Sequence, residues 1–235
     1  MKFAIIAAGE GSRLTQEGVK LPKPLTVLAG KAMIERLIRI FIDNNADEIV
    51  VIVNEENVLT KKFLEELKGK LNIPLTIVVK TTPSSMHSFF ELSKYMDGDK
   101  FCLTTVDTIF KEEEFKRYIS DFKNIECDGL MGVTDYIDDE KPLYVATDEE
   151  LNITGFFDKN DCGCKHISGG IYCLGPKAID VLNVCMENGV SRMRNFQRAL
   201  VENRLMLKAW PFKKIIDVDH AEDIVKAELF LSDKE

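Results

Sequence analysis

Apolar residues fall along this chain in two distinct patterns. Residues 2–8 (KFAIIAA), 48–54 (EIVVIVN), 74–80 (PLTIVVK) and 100–106 (KFCLTTV) are short, nearly unbroken apolar runs. Such runs mark strands covered on both faces. Between them the period changes. Met33, Ile34, Leu37, Ile38, Phe41 and Ile42 recur at helical spacing, with Lys31, Glu35, Arg39 and Asp43 on the other face. Helices are also predicted over 60–69 and 86–96 and through Phe115, Ile119 and Phe122. This βαβαβαβα alternation predicts an α/β protein with a mostly parallel sheet and helices on both faces. In the second half, 129–136, 142–147, 151–158 and 167–174 are short, turn-bounded strand candidates. We read them as antiparallel additions to the same sheet. Helices at 176–187 and 193–203, a strand at 205–210 and a last helix over 220–231 close the chain. No linker, low-complexity tract or internal repeat interrupts it, so residues 1–235 read as a single domain.

Composition narrows the classes of function. Of the 235 residues, 45% are hydrophobic and 30% charged, enough apolar material for a sizeable core. The net charge of −8 argues against a general nucleic-acid binder or an anionic-membrane binder. No stretch reaches the ~18 consecutive apolar residues of a membrane helix. The apolar run at the N-terminus stops at a glycine loop instead of extending to a cleavage site, so a cytoplasmic protein is expected. Several of the six cysteines lie inside apolar runs (FCL, IYCL), which suits buried thiols better than a disulfide framework.

The first candidate chemistry lies just after the first strand, in Ala7-Ala8-Gly9-Glu10-Gly11-Ser12-Arg13. Gly9 and Gly11 leave backbone amides open to a phosphate, and Arg13 adds a planar cation for its oxygens. Leu14 stands where a dinucleotide fingerprint needs its third glycine, and Gly30-Lys31-Ala32 does not complete a Walker loop. From Gly9 to Gly30 some twenty residues show no clear helix, and long loops in compact domains are usually functional. This loop carries Arg13, Lys20 and Lys23, and Pro22 and Pro24 restrict the backbone on either side of Lys23. In an acidic chain, three cations on one glycine-rich loop read as a polyphosphate site.

AAGEGSRL followed by LPKPLTVLAGKAMIE resembles the signature of the nucleotidyltransferases that make nucleotide sugars, the sugar-phosphate nucleotidyltransferase (NDP-sugar pyrophosphorylase) family. The likeness is continuous over about the first 45 residues and returns at Asp107 and at IIDVDHAED (215–223). It implies a Rossmann-like three-layer α/β/α sandwich with a mostly parallel mixed sheet. It also implies transfer of an NMP group from an NTP to a sugar 1-phosphate or similar acceptor, with Mg²⁺ as cofactor and release of pyrophosphate. Ala7, Ala8, Gly9, Gly11, Ser12, Arg13 and Lys23 would then line the nucleotide, with Arg13 and Lys23 on its phosphates.

Asp107 ends an apolar strand, at the sheet edge where open α/β folds bind ligands. Together with a late aspartate it would hold the metal. The sugar enzymes' Asp-Val-Gly-Thr-Pro-Glu motif points to Asp217, and the related cytidylyltransferases' Val-Asp-Thr-Pro-Glu-Asp points to Asp219. Both stay candidates, Asp217 first, because Asp219 is also placed to cap the last helix. The nucleophile would be an acceptor phosphate oxygen, so the protein's task is in-line positioning and charge neutralisation.

TTPSSMHSFFEL (81–92) departs from the sugar enzymes' base-contacting loop and resembles the choline-phosphate cytidylyltransferase branch. A cytidylyltransferase acting on phosphocholine or another non-sugar phosphate is therefore the alternative. Ser84, Ser85 and His87 would line the pocket there, or the serines would cap the next helix. FFDK (156–159) resembles the segment whose lysine holds the acceptor phosphate, which suggests Lys159. Ser168–Tyr172 resembles the strand beside the acceptor and suggests Gly170, whose freedom would also permit close backbone approach. Cys162-Gly163-Cys164-Lys165-His166 has a zinc-ligand spacing but no fourth ligand, and its alternation equally fits one strand face. Arg192, Arg194, Arg198 and Arg204 would reach an acceptor phosphate or form a solvated helix face. Two other classes compete, a glycosyltransferase using Asp217-Val218-Asp219 and a non-catalytic nucleotide-sensing module. The base, the acceptor and the formation of a homo-oligomer stay open.

Overall fold

The structure is a computed structural model and describes residues 1–96, 98–138 and 140–233. Strand β1 (Lys2–Ala7) leads into a five-residue helix α1 (Ser12–Gln16), a 3-10 turn (Lys23–Leu25) and a hairpin of two-residue strands, β2 (Val27–Leu28) and β3 (Lys31–Ala32). Then follow α2 (Met33–Asp43), β4 (Glu48–Val53), α3 (Val58–Lys68), β5 (Leu75–Val79), α4 (Ser85–Ser93) and β6 (Phe101–Thr105). The middle of the chain forms β7 (Thr108–Ile109), α5 (Glu112–Asn124), β8 (Gly129–Thr134), β9 (Tyr144–Thr147), β10 (Ile153–Phe157) and β11 (His166–Leu174). The chain ends with α6 (Lys177–Glu187), α7 (Met193–Glu202), β12 (Leu207–Phe212), β13 (Ile216–Asp217) and α8 (Ala221–Ser232). No helix among the described residues is long and apolar enough to cross a membrane.

The four apolar runs form the parallel centre of a nine-stranded sheet, in the order β6-β1-β4-β5. β11 joins β6 antiparallel, and β8 joins the other side of β11. The second half is not wholly antiparallel, because β12 runs parallel to β8. β11 is long enough to change partners, pairing with β6 through Ile171–Leu174 and with β9 through His166 and Ile167. Its register breaks between Ser168 and Ile171. The intervening Gly170 sits at φ +72°, and a Cβ there would come within 2.7 Å of Thr108 Oγ1. A side chain is excluded at that point, so Gly170 packs directly beneath the β6–β7 turn.

Strand alternation divides the core into two apolar layers. Phe3, Ile5, Ala7, Phe41 and Phe115 belong to the layer beneath α2 and α5. Ala4, Ile6, Phe89, Leu182 and Phe196 belong to the layer beneath α4, α6 and α7. The three-layer α/β/α sandwich with a mostly parallel mixed sheet is therefore the observed fold. Three details depart from the sequence reading. The stretch 9–30 holds α1, a 3-10 turn and the first strand of a hairpin, where the sequence shows no clear helix. Helix α4 stops at Ser93, short of residue 96. The late strand occupies Leu207–Phe212 instead of 205–210.

One helical side chain interrupts the sheet itself. The Tyr118 hydroxyl on α5 donates to Leu130 O at 2.5 Å and accepts from Cys173 N–H at 2.8 Å. Leu130 and Cys173 are register partners on β8 and β11, so the phenol bridges a ladder position. Burial pushes the Tyr118 hydroxyl well above its ordinary pKa, so it stays a neutral donor. Tyr118→Phe would leave a buried carbonyl and a buried amide unpaired, each costing about 1–3 kcal/mol. We expect a loss of about 2–4 kcal/mol in denaturant unfolding. Ligand binding should not change, because Tyr118 lies away from both clefts described below.

Candidate functional site

The site is built at the carboxyl ends of β1 and β6. After Ala7 the backbone turns through Gly9 and Gly11 into α1. Gly11 adopts φ +63°, and a Cβ on it would lie 2.8 Å from Lys23 Cβ. Only glycine lets the loop pass this close to the lysine stem. Pro22 precedes the 3-10 turn and accepts the amide hydrogen of Leu25 at 2.8 Å. Lys23, between the two prolines, is thereby held with only 10% of its side chain exposed.

The Lys23 ammonium lies 2.5 Å from Asp107 Oδ2 and donates to Asp219 Oδ1 at 2.6 Å. Arg13 Nη1 donates to the other oxygen, Asp219 Oδ2, at 2.8 Å. Four charged groups from three distant segments thus form one continuous network. Burial alone would raise the Asp107 pKa, but the ammonium beside it and the Thr105 hydroxyl hold it below the usual carboxylate range. Burial alone would lower Lys23, but Asp107 and Asp219 reverse that and hold the ammonium above its ordinary range. Both groups are therefore charged at neutral pH.

The network lies in a cleft of about 520 Å³. Ile6, Ala8, Gly9, Gly11, Ser12 and Arg13 line one side, and Asn54 with Thr81, Thr82, Ser84, Ser85 and Ser88 line the far end. Of the nucleotide-loop candidates only Ala7 is missing, because strand alternation turns its side chain into the opposite core layer. Lys20 is exposed and is not part of the lining.

Ser84 occupies the cap position of α4 but makes no side-chain cap bond, which corrects the capping reading. Its hydroxyl pairs with His87 Nδ1 at 2.8 Å and accepts from the Arg192 amide at 3.2 Å. Asn54 was not anticipated. Its Oδ1 accepts from Thr81 Oγ1 at 2.9 Å and from Glu56 N–H at 3.0 Å, joining the loops after β4 and β5. Its place at the end of an apolar strand run was the available signal.

The late aspartates separate. Asp219 is not a cap, because His220 and Asp223 form the capping box of α8. Asp217 pairs through its backbone with Thr108, and its Oδ1 accepts from Thr108 Oγ1 at 3.3 Å. β13 ends at Asp217, so Asp219 lies beyond the strand. Among the described residues no three potential metal ligands gather in one place. Cys162, Cys164 and His166 therefore do not converge as the zinc spacing would require. Asp107 and Asp219, within reach of one ammonium, remain as a two-carboxylate donor set. Such a set fits Mg²⁺, which binds through one or two carboxylates and completes its shell with water and phosphate oxygens.

A second cleft of about 700 Å³ shares Arg13 and Asp219 with the first. Its walls include Glu17, Tyr136, Asp138, Glu140, Ser168, Gly169, Asp217 and His220. Glu17 accepts from Ala221 N–H and pairs with His220 Nδ1, both at 2.6 Å, so α1 is tied to the start of α8. Neither acceptor candidate lines this cleft. Lys159 lies in a separate hollow with Arg194 and Asp158, and Gly170 packs against Thr105 and Thr108. Arg194 and Arg198 are held by Asp158 at 2.5 and 2.7 Å and do not form a solvated face. The acidic stretch over 135–140 was the sequence signal for this cleft, but no motif marked it.

Residues 3–150, more than half of the chain, match the MobA-like NTP transferase domain. The chain belongs to this family. Gly9, Arg13, Lys23 and Asp107 lie within the matched region of the NTP transferase domain, whereas Asp219 and much of the second cleft follow it.

A probable mannose-1-phosphate guanylyltransferase 1 from Oryza sativa subsp. japonica is 29% identical over 187 residues, which are 77% of this chain and 51% of that protein. The mannose-1-phosphate guanylyltransferase 1 of Arabidopsis thaliana is 28% identical, over 78% of this chain and 52% of its own. The chain thus spans about half the length of these relatives. Two solved structures share the fold along nearly the whole chain. The inositol-1-phosphate CTP transferase from T. maritima has a TM-score of 0.80 at 18% identity, over 97% of this chain and 96% of that one. A putative glucose-1-phosphate thymidylyltransferase from Bacillus anthracis has a TM-score of 0.86 at 15% identity, over 100% and 96%.

Proposed function

We propose that this NTP transferase domain moves an NMP group from an NTP to a sugar 1-phosphate or similar phosphorylated acceptor and releases pyrophosphate. The observation that carries the reading is Lys23 held between Asp107 and Asp219, with Arg13 on the same network, where two clefts meet. One cleft would take the nucleotide and the other the acceptor. Gly9 and Gly11 would offer open backbone to the phosphates, and Arg13 and Lys23 would bind their oxygens. An oxygen of the acceptor phosphate forms a bond to the α-phosphorus as the bond to the β-phosphate oxygen breaks. The leaving group is pyrophosphate. The acceptor oxygen is already ionised at neutral pH, so no side chain has to remove a proton. Rate enhancement would come from alignment and from cations placed where charge develops. Asp107 and Asp219 would hold Mg²⁺, which would supply further neutralisation of phosphate charge.

One observation favours a second reading of the acceptor. The second cleft carries carboxylates just after α1, on the β8–β9 connection and at the start of α8, together with Tyr136. Such a lining suits an acceptor that bears a positive charge, as phosphocholine does. The full-length likeness in fold to an inositol-1-phosphate CTP transferase is compatible with a non-sugar acceptor. A pyrophosphate-release screen of four NTPs against sugar 1-phosphates, inositol 1-phosphate and phosphocholine tests both readings. Release should require one NTP and one acceptor together. Silence across the whole panel would overturn nucleotidyl transfer to these acceptors.

A further inference from the structure

Arg13 sits on a helix that cannot hold it alone. α1 has five residues, buries only Leu14, and ends where Gly18 turns the chain away at φ +90°. A helix that short is not stable in isolation. Asp219, the partner of Arg13, lies on the short segment between the two-residue strand β13 and the start of α8. Glu17 joins these two segments from outside the charged network. Its backbone amide closes a turn onto Arg13 O at 3.0 Å. Its carboxylate reaches across to the two residues after Asp219. Oε2 accepts the Ala221 amide hydrogen, and Oε1 pairs with His220 Nδ1, both at 2.6 Å. Arg13 and Glu17, one helical turn apart, thus make two neighbouring links to the same stretch of chain.

The two links respond differently to a bound nucleotide. On the reading above, Arg13 gives its donors to phosphate oxygens, and its bond to Asp219 is then shared or lost. The bonds of Glu17 lie outside that exchange and stay in place while Arg13 changes partner. Resting on that nucleotide-transfer reading, we propose that Glu17 is a positioning residue that braces α1 against the start of α8, so that Arg13 and Asp219 keep their spacing when the phosphates enter. The Ala221 amide and the His220 ring hold the Glu17 carboxyl below the usual carboxylate range. It is therefore ionised at neutral pH, with both oxygens free to accept. Glu17 also borders the second cleft. With both oxygens committed to the protein, its part there is to hold the wall in place and not to touch the acceptor.

Initial-rate kinetics of pyrophosphate release test the proposal on wild type, Glu17→Ala and Glu17→Gln at about pH 8, where an unpaired imidazole is neutral. The substrates are the pair that turns over among CTP, GTP, UTP and ATP with mannose 1-phosphate, glucose 1-phosphate, inositol 1-phosphate or phosphocholine. Alanine removes both bonds. Glutamine can still accept from the Ala221 amide and can offer its NH₂ to the neutral imidazole. Thermal melts identify which variants are folded, and Glu17→Ser stands in if alanine perturbs the fold. Glu17→Ala should lower kcat by at least about tenfold, the scale of a small misplacement in an active site. Its acceptor KM should stay within about threefold of wild type, and Glu17→Gln should restore kcat to within about threefold. Amide hydrogen exchange over residues 12–17 and 219–223 should quicken at least about tenfold in Glu17→Ala while β1 and β4 keep their protection. A folded alanine variant with wild-type kcat, or with unchanged exchange in those segments, overturns the bracing role. A raised acceptor KM at unchanged kcat also overturns it, as does a glutamine variant as slow as alanine, because each makes the Glu17 charge a contact of the acceptor instead. No turnover by wild type on the whole panel overturns the nucleotide-transfer reading itself, on which this role rests.

Discussion

Asp107→Asn is expected to lower kcat in a pyrophosphate-release assay by at least about a hundredfold, the scale of removing one preorganised electrostatic partner from an active site. The substitution keeps the shape and one acceptor oxygen but removes the charge that faces Lys23 at 2.5 Å. It also removes one of the two carboxylates in the proposed metal-binding set. Lys23 keeps Asp219, so the fold should survive with a modest loss of stability. The assay is read with a thermal melt of the same sample. A folded variant with unchanged turnover would remove Asp107 from the mechanism.

Lys23→Met should reduce both NTP binding and kcat, each by at least about tenfold, if the ammonium meets phosphate charge that grows in the transition state. Methionine retains an unbranched apolar stem where the chain passes beneath Gly11, so packing is largely preserved. What disappears is the cation between Asp107 and Asp219, which are left facing each other. Initial-rate kinetics separate the contributions. A raised KM with unchanged kcat would mean that Lys23 binds substrate and transition state alike.

The parts of the fold that could be read in the sequence are those fixed by burial. β1, β4 and β6 are buried on both faces and the edge strand β5 is half-buried, so their codes are continuous apolar runs. β2, β3, β7 and β13 have two residues each, too few to show any period. α1 buries only Leu14 and starts at a left-handed glycine, so it read as loop. The site divides in the same way. Gly9, Gly11, Arg13 and Lys23 lie close together in the chain, and Asp107 ends a recognisable strand. Asp219 was read locally as a helix cap because that role needs only neighbouring residues. Its actual partners, Lys23 and Arg13, are 196 and 206 residues away in the chain. Only the tertiary structure could show them, and the same holds for the second cleft, whose walls come from four separate stretches.

The pairing of β7 with β13 bears on how the site comes apart. It consists of two residue pairs, Ile109 with Ile216 and Thr108 with Asp217, and it lies outside the nine-stranded sheet. The Val218–Asp107 hydrogen bond extends it by one more contact. Asp107 belongs to the end of a central strand, whereas Asp219 rides on this short zipper and the helix after it. The two carboxylates therefore belong to regions of unequal opening free energy. A sub-global fluctuation that lifts β13 and α8 separates them while β1, β4, β5 and β6 stay paired. The integrity of the charged site and global foldedness are then two different equilibria in this chain, and the first is the more easily disturbed.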